Sequence, residues 1–284
     1  MLKYRRLTVP FLAALALAGC GAGAGGSSGG SSSSSAASGA TDPKQALLTA
    51  AHFTTSQSVR ADMTVRVSFY ATGPPGSAGV PEQSLAFTMH LEEQSPQRNK
   101  VVVSTTVAGR SVQAIVVFYD GALYTSTDGG HTFKTVPIGA VSPGGYGTGS
   151  AVQYMQSVGT VTDTGSGVVD GIDVENYHAD LDSAKATAAI KSAISGFKST
   201  ILAKSLGTLK FTDGTLDASV ARDRHVLSDG CRIGATMDLS ALDPSLQGST
   251  LHLAVTVSGD FHDYGAPIVV PRPVDVTGTT TTLA

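Results

Sequence analysis

The chain lacks the spacings by which sequences most often announce a metal, a disulfide frame or a nucleic-acid face. Cysteine occurs only as Cys20 and Cys231, with no Cys-x-x-Cys, so neither a thiolate zinc site nor a disulfide scaffold has its ligands. The histidines, His52, His90, His131, His178, His225, His252 and His262, never stand at His-x-x-x-His spacing, so the helical two-histidine metal signature is missing. Lysine and arginine form no patch suited to a phosphate backbone. No repeat of about 20–50 residues recurs, which removes solenoids and propellers. The apolar run from Leu7 to Ala18 is shorter than the roughly 20 residues that a bilayer-spanning helix needs. No cofactor, no metal and no nucleic-acid partner is therefore expected.

That short run has a telling setting. Lys3, Arg5 and Arg6 precede it and Leu17-Ala18-Gly19-Cys20 ends it, the layout of an export signal with small residues before the cleavage point. The ending resembles the lipobox of bacterial lipoproteins. That resemblance implies that residues 1–19 are removed as a signal peptide and that the Cys20 thiol receives diacylglycerol, its amine usually taking a further acyl chain. Two or more chains anchor a protein durably where one does not. The expected location is thus the extracytoplasmic face of the cell membrane, with the membrane as a partner.

Loss of the leader leaves 16 basic residues against 22 acidic ones, a net charge of −6. Residues 20–41 are the lipidated Cys20 and a stretch almost wholly of Gly, Ser and Ala. Such a stretch has too little apolar surface to offset its ordering entropy and behaves as a flexible linker, reaching on the order of 25 Å. No second linker follows, so one domain is expected over 42–276, with a disordered tail over 277–284. Cys231 is then the one thiol besides the lipidated residue, and the fold must rest on its core.

Inside the domain, Asp42 is placed to cap a short helix with Pro43 in its first turn, and Leu47, Leu48, Ala51 and His52 give one face. The period then changes. Val59, Ala61, Met63, Val65, Val67 and Phe69 alternate with polar residues, which predicts a long half-buried strand. Leu85, Phe87, Met89 and Leu91 repeat the pattern after the Gly/Pro loop 73–81 and complete a hairpin. Strands are predicted at 100–106, 111–119, 122–127 and 132–137, with 111–119 apolar on both faces. A short helix is expected near 152–158, then strands at 160–169 and 172–181 around Asp170-Gly171. One long helix starts near Ser183, its stripe formed by Ile190, Ile194, Phe197 and Ile201, and Gly207 stops it. Strands at 214–222, 225–240 and 250–263 close the domain, with an Asp229-Gly230 turn ahead of Cys231.

A sheet of roughly ten strands tends to curl, and one long and one or two short helices look too little to cover its inner face. Either the sheet closes, or an apolar hollow remains to be filled. The expected fold is α+β, a large, strongly curved antiparallel sheet (a half-barrel) with these helices on the concave face. Several segments carry a resemblance here: Gly121-Ala122-Leu123-Tyr124 with Asp128-Gly129-Gly130, Val169-Asp170-Gly171-Ile172 with Tyr177-His178 and Leu181-Asp182, and Phe261-His262-Asp263-Tyr264-Gly265-Ala266-Pro267 with Pro271. With the lipobox, spacer and element order, they resemble the LppX/LprA/LprF/LprG-type envelope lipoproteins, which share the half-barrel of the LolA/LolB carriers. The resemblance implies a deep apolar cavity for multi-acyl glycolipids and no catalytic residues. The long loops at 73–81 and 141–149 depart from it.

The chemistry-bearing motifs each have a plain reading. Ser126-Thr127-Asp128-Gly129-Gly130-His131-Thr132-Phe133 fits an Asp-box, which is a structural hairpin and occurs here once. Ser195 and Lys198 match the S-x-x-K of penicillin-binding proteins, but no S-D-N or K-T-G accompanies them, so a Ser-Lys hydrolase is the weakest alternative. His252 falls opposite Leu251 and Leu253, for a solvent-facing or cross-strand role. His262-Asp263 has no activated Ser or Cys beside it. Cys231 is expected buried and inert, and the Gly-rich loop 144–149 lacks a phosphate-loop lysine; with 73–81 it is a candidate lid. The expected function is a membrane-anchored lipid or glycolipid carrier, not an enzyme. Its candidate cavity lining is Met63, Val65, Val67, Phe69, Phe87, Met89, Ile190, Ile194, Phe197 and Ile201. The alternative is a structural or protein-interaction lipoprotein with a closed core and an unknown protein partner.

Overall fold

A computed structural model of the chain describes residues 42–74, 79–107, 109–136, 158–194, 207–241 and 243–279. Helix α1 (Pro43–Thr55) opens the domain, with the Asp42 carboxylate accepting from the Lys44 amide at 3.2 Å and Pro43 in the first turn. Its buried face is Leu47, Ala50, Ala51 and Thr54. His52, expected on that face, is exposed instead: residues 47, 50, 51 and 54 keep the i, i+3, i+4 spacing of one stripe, and residue 52 falls off it.

Strands β1 (Val59–Thr72), β2 (Val80–Ser95), β3 (Arg98–Val107), β4 (Arg110–Tyr119), β5 (Ala122–Ser126) and β6 (Phe133–Val136) follow. After the gap come β7 (Val158–Val169), β8 (Ile172–Leu181), α2 (Ser183–Ile194), β9 (Lys210–Ala221), β10 (Val226–Asp238), β11 (Thr250–His262) and β12 (Val276–Thr279). All twelve strands form one open sheet in the order β12-β6-β5-β4-β3-β2-β1-β11-β10-β9-β8-β7. Every pairing is antiparallel except β12 on β6, which is parallel. The sheet is therefore mixed and does not close, which gives the expected half-barrel. The segment expected to be tail from residue 277 onward supplies part of the edge strand β12. Four residues with Thr and Gly are too short and too polar for alternation to reveal them.

Turn chemistry explains the hairpins. Asp120-Gly121 and Asp170-Gly171 both sit at positive φ, 48° and 86° for the first pair and 50° and 80° for the second. Two successive left-handed residues match the right-handed twist of the strands they join. Helix α2 starts from a second capping aspartate, whose Oδ1 accepts from the Ala184 and Lys185 amides at 3.0 Å each. The short helix expected near 152–158 lies outside the described residues up to 157, and Val158 opens β7. Residues 75–78, 137–157 and 195–206 lie outside them too, and with them most of the expected 73–81 loop, the 141–149 loop and the expected extension of the long helix beyond 194.

The inner face of the sheet holds one continuous apolar core that runs from Val101 on β3 through β2, β1, β11, β10 and β9 to Val158 on β7, with Leu47, Ala50 and Ala51 of α1 packed into it. A second, smaller cluster lies on the other side of β4: Val117, Tyr124 and Phe133 pack against Ile268 and Val270 of the C-terminal segment. The second half of β4 is thus covered on both faces, at Val117 and Phe118, while Arg110, Ser111, Val112 and Gln113 are exposed, so the doubly apolar sequence predicts the cover only in part.

Candidate functional site

The strand registers assemble the inner face row by row. Tyr177 on β8 pairs with Ala218, which pairs with Asp229, which pairs with Gly259. Gly259 pairs with Met63, Met63 with Met89, and Met89 with Val103. One row therefore crosses seven strands, with side chains on the same face. The next row runs Ala179, Leu216, Cys231, Val257, Val65 and Phe87. The one beyond it holds Ile233, Val255 and Val67.

All six strand residues expected to line a cavity fall on this inner face. Val65, Val67, Phe87 and Met89 are buried, and Met63 and Phe69 are half-buried against them. Ile190 and Ile194 lie in the backbone of α2, their side chains outside the described set, and Phe197 and Ile201 lie outside the described residues altogether. Ser195 and Lys198 also lie outside the described residues. Several inner-face residues keep accessible surface: Met63, Phe69, Leu85, Val103, Val116, Tyr177, Phe211 and Leu251 are each half-buried and packed on the core. These apolar side chains face inward and keep part of their surface accessible.

Asp229 departs from the sequence reading. Asp-Gly predicts a turn there, yet Asp229 and Gly230 sit inside β10, and the chain reverses at 222–225 instead. Alternation then sends the Asp229 side chain inward, in the same parity as Cys231, Ile233 and Ala235. Its cross-strand neighbours are Ala218 and Gly259, the smallest on the row. Burial among apolar groups pushes its carboxyl up to about 7, and the nearby Asp260 charge adds to the rise. Beside it, Tyr264 hydrogen-bonds the Val226 carbonyl with its phenol, which burial holds well above the usual range. Thr54 of α1 accepts from the Val226 amide at 3.3 Å, so helix, β10 and the C-terminal turn meet at this end of the face.

The outer face carries the charges. Asp62 accepts between His90 at 2.8 Å and His262 at 3.2 Å, and the His90 bond holds its carboxyl below the usual range. His262 also lies 3.4 Å from Asp263, which pairs with Arg60 at 2.8 Å. These side chains are exposed or, for Arg60, half-buried, and among the described residues no Ser hydroxyl or Cys thiol joins them, so they form a solvated cross-strand network. Among the described residues no group of three or more His, Cys, Asp or Glu could hold a metal. His252 stacks on Tyr70 across β11 and β1, ring centroids 4.4 Å apart, in the cross-strand role its position implies.

The Asp-box closes as a turn. Asp128 accepts from the Ser126 hydroxyl at 2.6 Å, the Thr132 hydroxyl at 2.6 Å and the Thr132 amide at 3.0 Å. Those donors hold its carboxyl far below the ordinary range. Cys231 is a free, buried thiol among Leu216, Val257 and their neighbours.

No protein-family model matches the chain, and no curated protein matches it. Solved structures do. The chain is similar to LprF from Mycobacterium bovis, with 14% identity over 81% of this chain and 96% of that one and a TM-score of 0.40. It is also similar to the lipoprotein LppX from Mycobacterium tuberculosis, with 14% identity over 80% of this chain and 95% of that one and a TM-score of 0.34. A LolA superfamily protein from Nitrosomonas europaea matches at 10% identity over 79% and 93% of the two chains, with a TM-score of 0.25.

Proposed function

We propose that the protein is a lipid-anchored, extracytoplasmic lipoprotein that binds the acyl chains of a lipid or glycolipid against the inner face of its open sheet, as a carrier rather than an enzyme. The observation that supports this most is the set of inward apolar residues that keep accessible surface, Met63, Phe69, Leu85 and Leu251 among them. Each CH₂ buried there contributes about 0.8 kcal/mol, so a few acyl segments suffice for tight binding. The basic leader and Leu17-Ala18-Gly19-Cys20 support the tether.

Two measurements test the reading. Organic extraction and mass spectrometry of a soluble form beginning at Thr41, made in a host with its native envelope lipids, should yield a stoichiometric acyl lipid. Met63→Trp and Leu251→Trp, which fill the face from partly open positions, should lower that stoichiometry while the far-UV spectrum stays unchanged. A stable protein free of lipid would instead favour an interaction lipoprotein with a closed core. Cys20→Ala should move the full-length protein out of the membrane fraction, and retention there would end the tether proposal.

A further inference from the structure

Asp229 is out of place in its surroundings. It stands in the middle of a row whose other members are Tyr177, Ala218, Gly259, Met63, Met89 and Val103. Neither a hydrogen-bond donor nor a cation among the described residues reaches its carboxylate, although burying an unpaired carboxylate is among the costliest things a core can do. The residue as a whole keeps some accessible surface, while its carboxyl lies among apolar groups.

Small neighbours make room for the Asp229 carboxyl. Gly259 faces Asp229 across the strand pair with no side chain. A Cβ there would come within 2.8 Å of the Asp229 carboxylate and 3.2 Å of the Met63 side chain. On the other flank Ala218 contributes a single methyl group. The carboxyl thus fills a notch in an apolar wall, with a small residue on either side.

We propose that Asp229 is the polar anchor of the internal ligand site, where its carboxyl hydrogen-bonds a hydroxyl of an otherwise apolar, uncharged lipid. This rests on the reading of the inner face as a lipid-binding surface and adds which lipids it prefers. A hydroxyl suits this group in both protonation states, because it donates to the carboxylate and can donate to or accept from the acid. A phosphate or carboxylate headgroup would meet repulsion from an ionised Asp229, with no cation among the described residues paired to it. The anchored ligand is therefore a neutral, hydroxyl-bearing acyl lipid, such as an acylglycerol or an acylated sugar, and not an anionic phospholipid.

The test uses two probes that differ in their hydroxyls, 1-decanoylglycerol and methyl decanoate, titrated calorimetrically below their aggregation concentrations into the lipid-stripped protein. Wild type should bind the glycerol ester about tenfold more tightly, the effect of one well-made hydrogen bond to a charged or ionisable group. Asp229→Leu should bind both probes equally well. Gly259→Ala, which crowds the notch while keeping the carboxyl, should erase most of the preference, and Asp229→Asn should retain part of it. Circular dichroism shows whether each variant is folded, and a preference lost in both folded Asp229→Leu and folded Gly259→Ala supports the anchor. Equal binding of the two probes by wild type would overturn the anchor while leaving the lipid-binding face intact. If neither probe binds wild type, the face itself is closed and both proposals fall.

Discussion

At the scale of single residues, two aspartates pull stability in opposite directions with pH. The native carboxyl of Asp229 is raised to about 7 from an ordinary value near 4, so the folded state holds that proton more tightly than the unfolded chain. The strain is absent below about pH 4, grows as pH rises toward 7 and is complete above it. Asp229→Asn should match wild type in urea midpoint near pH 4 and exceed it at pH 8; a wild-type advantage at pH 8 would mean that some donor does reach the carboxylate. Asp128 is the reverse case, with its native carboxyl lowered by the Ser126 and Thr132 hydroxyls. Its stabilisation is present above about pH 4 and fades as pH falls toward the lowered native value. Asp128→Ala should therefore melt lower than wild type at pH 7, and the two melting temperatures should converge on acidification. The two sites also show what local sequence can reveal. Ser126-Thr127-Asp128-Gly129-Gly130 makes its hydrogen bonds within a few residues, so its motif was readable. Asp229-Gly230 has the same dipeptide, but pairing with β9 and β11 decides its conformation, and those strands are distant in sequence.

At the scale of elements, the helices and the C-terminal segment act as separate fastenings. Leu47 is the most deeply inserted large side chain of α1, 1% exposed, and Leu47→Ala should cost about 2–5 kcal/mol in urea unfolding. Ile268 belongs to the smaller cluster over β4, β5 and β6. Ile268→Ala should loosen that region first: amide exchange should accelerate in β5 and β6 while β1, β10 and β11 stay protected. Uniform acceleration would show that the two clusters unfold together. The strands of the main core were legible because period-two alternation survives when one face is apolar and the other wet, as in β1 and β11. Strand β12 was not, since a four-residue edge strand is held by its partner β6 and by the neighbouring Asp275 carbonyl, which accepts from the Phe133 amide. The face of α1 was read one position off at His52, where a sequence stripe could not say which side of the helix meets the sheet.

At the scale of the whole molecule, an occupied inner face should stabilise the fold by mass action. Protein stripped of lipid should melt lower than protein as isolated, and adding the extracted lipid back should restore the melting temperature; identical melts would argue for a packed interior. The strand order carries a further consequence, for the time at which the fold can form. One strand from the centre of the sheet is the seam between β1 and β11, and it joins Asp62 to His262, 200 residues apart in the chain. A polypeptide delivered N-terminus first has its β1–β2 hairpin early, but β1 must wait with one bare edge until nearly the last strand has emerged. Contacts this distant in sequence slow folding and lengthen the exposure of unpaired edges. The chain is therefore built to stay unfinished during delivery and to set only once its C-terminal strand is free, which makes the waiting edge of β1 the place where a holding chaperone would be needed most.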